Sequence, residues 1–162
     1  MKVIYPGSFD PITFGHIDII KRISSSFDEV VVLVAYSLEK KGLFSPEERV
    51  EMINEGMKEL KNVSVAKYNG LTVDYATQCG ASAIVRGIRA VSDFENEMSM
   101  ASMNKALNKD IETLTVFTNP NYSFVSSRLV KEVAHFGGSL EGMVPSVVIK
   151  NIAAKMKTKE NS

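Results

Sequence analysis

The residues best suited to chemistry lie within the first sixteen positions. Tyr5-Pro-Gly-Ser-Phe-Asp-Pro-Ile-Thr-Phe-Gly-His16 brings two prolines, two glycines, Ser8, Asp10, Thr13 and a histidine into one short stretch. Prolines and glycines at this density are turn chemistry. Ahead of them Lys2-Val-Ile-Tyr5 reads as a buried strand, and behind them Ile17, Ile20 and Ile23 open a helix at helical spacing. A strand, a tight loop and a helix start bearing a histidine describe an anion site. Free backbone N–H groups and the positive end of the helix dipole converge there, and phosphate is their usual guest. Taken alone, the same string also suits an ordinary βα turn in which His16 only caps the helix.

The elements that must position these residues follow from hydrophobic patterning. Strands are expected near residues 2–5, 29–36, 62–67, 81–86 and 112–117. Between and after them, helices are expected from His16 to Ser26, from a Ser45 cap through Leu60, over 71–79 and over 92–107. Two more should start at Ser126 or Ser127 and at Pro145, the last ending near Met156. Glu29 to Tyr36 is almost unbroken in β-branched residues, the mark of a central parallel strand covered on both faces. Ser45, Pro46 and Glu48 make a capping box. The order predicts an α/β fold: a doubly wound, Rossmann-like sheet of five parallel strands, with helices on both faces and an added C-terminal helix. Residues 1–156 are expected to form a single domain, and 157–162 a polar, disordered tail.

Right-handed crossovers bring the loops after the strands to one sheet edge, where ligands bind in such folds. That edge should gather Ser8, Phe9, Thr13 and His16 with Lys40, Leu71, Thr72, Arg86 and Arg89, and the segment from Tyr122 to Arg128. Lys40, Arg86, Arg89 and Arg128 thus share one rim of a chain whose 19 basic residues balance 19 acidic ones. Cations placed locally on a neutral chain suit small phosphates, so general binding to nucleic acid or to an anionic membrane is not expected.

Composition and missing motifs narrow the class. With 162 residues, 44% apolar and 23% charged, the chain has ordinary globular values. Cys79 is the only cysteine, which excludes an intrachain disulfide and fits a reducing cytoplasm. No signal peptide and no membrane span is expected. His16, His135 and Cys79 are too few soft ligands for a structural zinc site, whereas magnesium carried by substrate phosphates needs few protein ligands. No Gly-x-x-x-x-Gly-Lys-Ser/Thr, Gly-x-Gly-x-x-Gly or Gly-x-Ser-x-Gly occurs, so the common phosphate loops and the hydrolase elbow are lacking.

Thr13-Phe-Gly-His16 resembles the T/HxGH signature of the nucleotidyltransferase superfamily. Three further blocks narrow the match: Phe44-Ser-Pro-Glu-Glu-Arg49, Val85-Arg-Gly-Ile-Arg-Ala-Val-Ser-Asp-Phe-Glu-Asn-Glu97, and Tyr122-Ser-Phe-Val-Ser-Ser127 with Leu129-Val-Lys-Glu-Val133. Together they resemble the bacterial phosphopantetheine adenylyltransferase family from Tyr5 to about Met156. The resemblance implies transfer of an adenylyl group from ATP to 4′-phosphopantetheine, giving dephospho-coenzyme A and pyrophosphate. It implies that His16 donates to the α-phosphate in the transition state. It further implies ATP contacts from Ser8, Phe9, His16, Gly87, Ile88, Arg89, Glu97, Tyr122, Ser123, Phe124, Val125, Ser126, Ser127 and Arg128. Ser8, Lys40, Thr72 and Arg86 would hold phosphopantetheine. Magnesium would enter on ATP, with no metal site in the protein, and the family's usual assembly is a homohexamer.

Two features stay open at this level. Arg128 stands where many members of the family carry a small hydroxyl residue, so it either contacts phosphate or points to solvent. The apolar residues of the 92–107 helix, Phe94, Met98, Met100, Met103 and Leu107, fit either a buried core helix or a subunit contact. A sister nucleotidyltransferase with a nicotinate mononucleotide or cytidylyl substrate, and a catalytically silent nucleotide-binding protein, are the competing readings.

Overall fold

The computed structural model describes residues 1–37, 39 and 41–160, the last three without their side chains. Five strands, β1 (Lys2–Gly7), β2 (Glu29–Ala35), β3 (Val63–Tyr68), β4 (Ala83–Ile88) and β5 (Glu112–Phe117), form one parallel sheet in the order β3-β2-β1-β4-β5. Helices α1 (Phe14–Ser24), α2 (Pro46–Met57), α3 (Thr72–Gln78) and α4 (Val91–Leu107) connect them in turn. A short 3-10 turn (Pro120–Tyr122), α5 (Ser127–His135) and α6 (Ser146–Glu160) complete the chain. No helix among the described residues is long and apolar enough to cross a membrane.

The chain winds outward from β1 in one direction to β3 and then in the other to β5, so strand order reverses between β1 and β4. These two strands are paired at Val3 with Ala83 and at Ile4 with Ile84 only. Past that point they part, leaving a crevice at their carboxyl ends. This is where a doubly wound fold binds its ligand.

Alternation along the central strands sorts side chains into two layers. Val3, Tyr5, Val30, Val32 and Val34 pack with α1, α2, α5 and α6 residues in the larger core. Ile4, Val31, Leu33 and Ile84 pack with Val73 and Ala76 of α3 in the smaller one. The second layer is thin because α4 gives it little: Asn104 is that helix's only buried residue, while Phe94, Met98, Met100, Met103 and Leu107 are each about half exposed. Of the two readings of this helix, the core is the one this single chain does not use.

Element boundaries differ from expectation in places that have causes. The first strand runs on through Pro6 and Gly7, which keep step with Leu33 and Val34 of β2. The fourth strand runs past Arg86 through Gly87 and Ile88, paired with Val116 and Phe117, so these two residues are strand and not the loop beyond it. Helix α6 reaches Glu160, past the Met156 at which sequence closes it. Ser126 is the N-cap of α5, its hydroxyl accepting the N–H of Leu129.

One buried cluster ties the loop after β1 to its neighbours. Asp10 is 5% exposed; its carboxylate accepts the backbone N–H groups of Leu43 and Phe44, each at 2.9 Å, and the ammonium of Lys131 at 3.0 Å. Arg49 stands 3.4 Å away and donates to the Phe44 and Ser8 carbonyls. Burial alone would raise the Asp10 pKa, but the Phe44 and Leu43 N–H groups, then Lys131 and Arg49, hold it below the usual carboxylate range. Replacing Arg49 by Met would leave a buried charge with fewer partners and orphan two carbonyls. We expect Arg49→Met to cost about 3 kcal/mol of unfolding free energy, read from urea denaturation. Wild-type stability in that variant would show that the cluster is dispensable.

Candidate active site

The crevice between β1 and β4 is a cavity of about 330 Å³ lined by Tyr5, Ser8, Phe9, Thr13, His16, Arg86 and Gly87, and by Arg89, Thr118 and Val125 to Arg128. Thr13 is the N-cap of α1 and makes a reciprocal pair with His16, three residues on. The His16 N–H points to the Thr13 hydroxyl oxygen at 3.4 Å, and His16 Nδ1 accepts the Thr13 backbone N–H at 3.1 Å. The Thr13 hydroxyl also lies 3.0 Å from Nδ1. With Nδ1 an acceptor, the ring proton of the neutral imidazole sits on Nε2, leaving one N–H donor for the cavity. The turn's own capping chemistry therefore sets the tautomer.

Phe9 braces this ring. Its side chain is 1% exposed and meets His16 and Tyr5 edge-on, with centroids 5.0 and 5.6 Å away. Its φ of 45° lies in the left-handed region, a strain of about 1–3 kcal/mol that burial of the ring offsets. The ring also leaves no room at position 7, where an added Cβ would lie 2.9 Å from it, so Gly7 is required by packing.

Two arginines face the histidine, but neither is a free cation. Arg86 grips Glu97 with two hydrogen bonds of 2.6 and 2.7 Å and donates to the Pro6 carbonyl at 2.7 Å, spanning the parted strands. Arg89 pairs with Asp93, which also accepts the Arg89 and Ala90 backbone N–H groups at the start of α4. Both charges still act on His16. Burial first, then the positive fields of Arg89 and Arg86, push its pKa down to about 4, so the ring is neutral at physiological pH.

The expected site residues divide accordingly. Ser8, Phe9, His16, Arg86, Gly87, Arg89, Glu97, Val125, Ser126, Ser127 and Arg128 come together around the cavity. Ile88, Tyr122, Ser123 and Phe124 do not line it: Ile88 is buried in β4, the Ser123 hydroxyl turns to the Pro120 carbonyl, Tyr122 packs near Phe14, and Phe124 is 60% exposed. Thr72, first residue of α3, lies on the far side of β1 and borders none of the cavities described. Lys40 lies outside the described residues. The resemblance assigns Arg86 to phosphopantetheine and Glu97 to the nucleotide; both line the cavity, where they also pair with each other.

Sequence reasoning missed the Asp10–Arg49–Lys131 cluster, because its members are far apart in the chain. It also missed Asp93, for which the i,i+4 spacing from Arg89 was an available signal. Thr118, whose Oγ1 is buried without a hydrogen-bond partner, had no sequence signal at all. A second cavity, of about 510 Å³, adjoins the first across Ser8, Ser127 and Arg128, and adds Tyr36, Ser37, Lys41, Arg49 and Lys131.

A family model described as Cytidylyltransferase-like matches residues 4–133, which places the fold and its histidine-bearing crevice in that class of nucleotidyltransferases. A crystal structure from Vibrio parahaemolyticus, of a protein described as a nicotinate-nucleotide adenylyltransferase, superposes with a TM-score of 0.68 over 91% of this chain and 88% of that one; at 18% identity it shows the shared fold alone. Phosphopantetheine adenylyltransferase of Bdellovibrio bacteriovorus is 55% identical over 95% of this chain and 96% of its own length. The enzyme of that name from Clostridium novyi is 52% identical over 94% and 95%. The chain belongs to the phosphopantetheine adenylyltransferase family.

The depressed histidine pKa has a thermodynamic consequence. The unfolded chain takes up this proton near pH 6.5 and the folded protein only near 4, so stability is full above 6.5 and falls as pH drops through that window. We expect the His16→Gln variant to lose less melting temperature than wild type between pH 6.5 and 4. In wild type, the ring nitrogens of His16 should report an Nε2–H tautomer by NMR, with no titration above about pH 5.5. A ring that titrates near 6.5 would contradict the burial and charge argument.

Proposed function

We infer that this chain transfers the adenylyl group of ATP to 4′-phosphopantetheine, giving dephospho-coenzyme A and pyrophosphate. The observation that carries the reading is a neutral imidazole with a fixed Nε2–H donor in the crevice of a chain from this family. An acceptor phosphate monoester, with a second pKa of about 6, is already ionised at neutral pH and needs no general base. A donor that cannot easily take a proton suits that need: it hydrogen-bonds the α-phosphate as charge builds, without drawing protons from the reaction. Ser8, which borders both cavities, would contact both substrates. The Ser126/Ser127 start of α5 offers backbone N–H groups toward phosphate.

Arg86 and Arg89 act here through geometry more than net charge. Each is held in place by its carboxylate, and each retains N–H groups beyond that pair for a substrate oxygen. Thr72, at the start of α3, and Lys40 would bind the acceptor. Magnesium fits this donor set as an ion that enters on the triphosphate, since Asp93 and Glu97 are both held by arginine. Bound to the phosphates, it would neutralise part of their charge. The half-exposed apolar residues of α4 support self-association, and a homohexamer is the assembly we propose.

Incubating the protein with ATP, magnesium and 4′-phosphopantetheine should release dephospho-coenzyme A and pyrophosphate in equal amounts, with nicotinate mononucleotide inert as acceptor. Absence of product from folded protein would sink the reading. His16→Ala should lower kcat by about 10²–10³ with little change in KM, the usual cost of losing one transition-state donor. Sedimentation at micromolar concentration should show an assembly, and a monomer there would refute it.

A further inference from the structure

The polar groups lining the His16 cavity divide into those already satisfied and those left over. Arg86 and Glu97 hold each other, as do Arg89 and Asp93. Thr13 is bonded to His16, Ser126 caps α5, and the Ser127 hydroxyl donates to the Pro11 carbonyl. Ser8, His16 and Arg128 already stand among the expected ATP contacts. Two hydroxyls in the lining have no role, those of Tyr5 and Thr118. The Thr118 oxygen lacks a partner but is buried away from solvent. The Tyr5 side chain is 5% exposed and lines the cavity, and among the described residues its hydroxyl forms no hydrogen bond. A hydroxyl held this deep without a protein partner is one that a ligand can satisfy.

The fold explains why that hydroxyl is open. β1 and β4 pair only at Val3 with Ala83 and at Ile4 with Ile84, and Tyr5 is the first residue of β1 past the last pair. Alternation puts its side chain in the layer of Val3 and Val85, the one that α1 covers. Across the gap, Gly87 has no side chain to fill the space. A Cβ there would lie 3.4 Å from the Tyr5 hydroxyl oxygen and 2.5 Å from Ile19 Cδ1. Phe9 meets the Tyr5 ring on one side and the His16 ring on the other, so one aromatic bridge sets both. Both also feel the charges of Arg86 and Arg89. Burial pushes the Tyr5 pKa up, more strongly than those charges draw it down, so the phenol keeps its proton and stays a neutral donor.

We propose that the Tyr5 hydroxyl is a second neutral donor to the adenylyl group, working beside the Nε2–H of His16. The assignment rests on the reaction inferred above and adds a residue to its site. In that reaction an oxygen of the acceptor phosphate bonds to the α-phosphorus. The bond from that phosphorus to the oxygen bridging the α- and β-phosphates breaks, and its electron pair leaves with pyrophosphate. Tyr5 gives up no proton in this step and takes none. Its O–H supplies one hydrogen bond to an oxygen of the adenylyl group, which is anionic before and after transfer. Two neutral donors at fixed positions orient that group without the uniform grip that further cations would add.

Calorimetric titration with AMP tests the contact without the acceptor substrate. Tyr5→Phe keeps the ring and its packing on Phe9 and removes only the oxygen. It should bind AMP about 10- to 100-fold more weakly than wild type, the range for a hydrogen bond to a charged group. In turnover it should lower kcat/KM for ATP by a similar factor and leave the KM for 4′-phosphopantetheine unmoved. Its melting temperature and the Nε2–H signal of His16 should match wild type, because the hydroxyl pairs with nothing in the protein. A lower melting temperature with a shifted His16 signal would mark the hydroxyl as structural and overturn the proposal. Equal AMP affinity in wild type and Tyr5→Phe, or a wild type that does not bind AMP, would overturn it as well. A wild type that binds AMP through Tyr5 yet forms no dephospho-coenzyme A overturns the reaction and leaves the contact standing.

Discussion

The site depends on one buried carboxylate. Asp10 lies in the loop after β1, and its partners come from three other places: the approach to α2, α2 itself and α5. A charge in that position is costly unless its lone pairs are filled, and three donors, from Leu43, Phe44 and Lys131, fill them while the Arg49 charge stands 3.4 Å away. Satisfying Asp10 therefore forces the Leu43–Phe44 segment, Arg49 and Lys131 to close around the loop that carries Ser8 and Phe9. Gly42 shows how tightly: an added Cβ would lie 1.9 Å from a terminal nitrogen of Arg49. The loop that carries Ser8 and Phe9 is thus held by charges that lie outside the His16 cavity.

From that anchored loop the group proposed to serve the α-phosphate, His16, follows by local rules. Thr13 caps α1, and the reciprocal bond of the cap falls on His16 because it is the third helical residue. The imidazole occupies the place that a Glu or Gln usually takes in a capping box, and the same hydrogen bond that starts the helix selects the ring's tautomer. Helix capping and the choice of ring tautomer are one interaction here. The arginines then keep the imidazole neutral, while their own charges are balanced by Glu97 and Asp93.

That balance changes what the crevice offers to phosphates. A ring of open cations would hold both anionic substrates and both products strongly, with no preference for the transition state. Arginines locked onto carboxylates give directional donors at fixed positions with modest net attraction, which favours alignment over uniform binding. α4 supplies both carboxylates and also carries Met98, Met100 and Met103, each about half exposed. Any assembly formed through that helix would fix the acids that position the arginines.

The sequence alone determined the parts governed by near neighbours. The strand–loop–helix unit around His16, the Ser45 capping box, the five strands and their doubly wound order all follow from periodicity, turn residues and caps, which act over a few positions. The motif blocks were equally legible, and with them the family. Tertiary structure decided which charges are free. Arg86 and Glu97 both read as ligand-binding residues along the chain, and only the fold shows that they neutralise each other across 11 positions. Asp10 meets Lys131 across 121 positions, a contact no local pattern encodes. It also showed that Phe94, Met98, Met100, Met103 and Leu107 of α4 stay about half exposed in the single chain. The reason is physical: local conformation is set by adjacent residues, whereas the net charge of a site depends on which distant groups folding brings within a few ångströms.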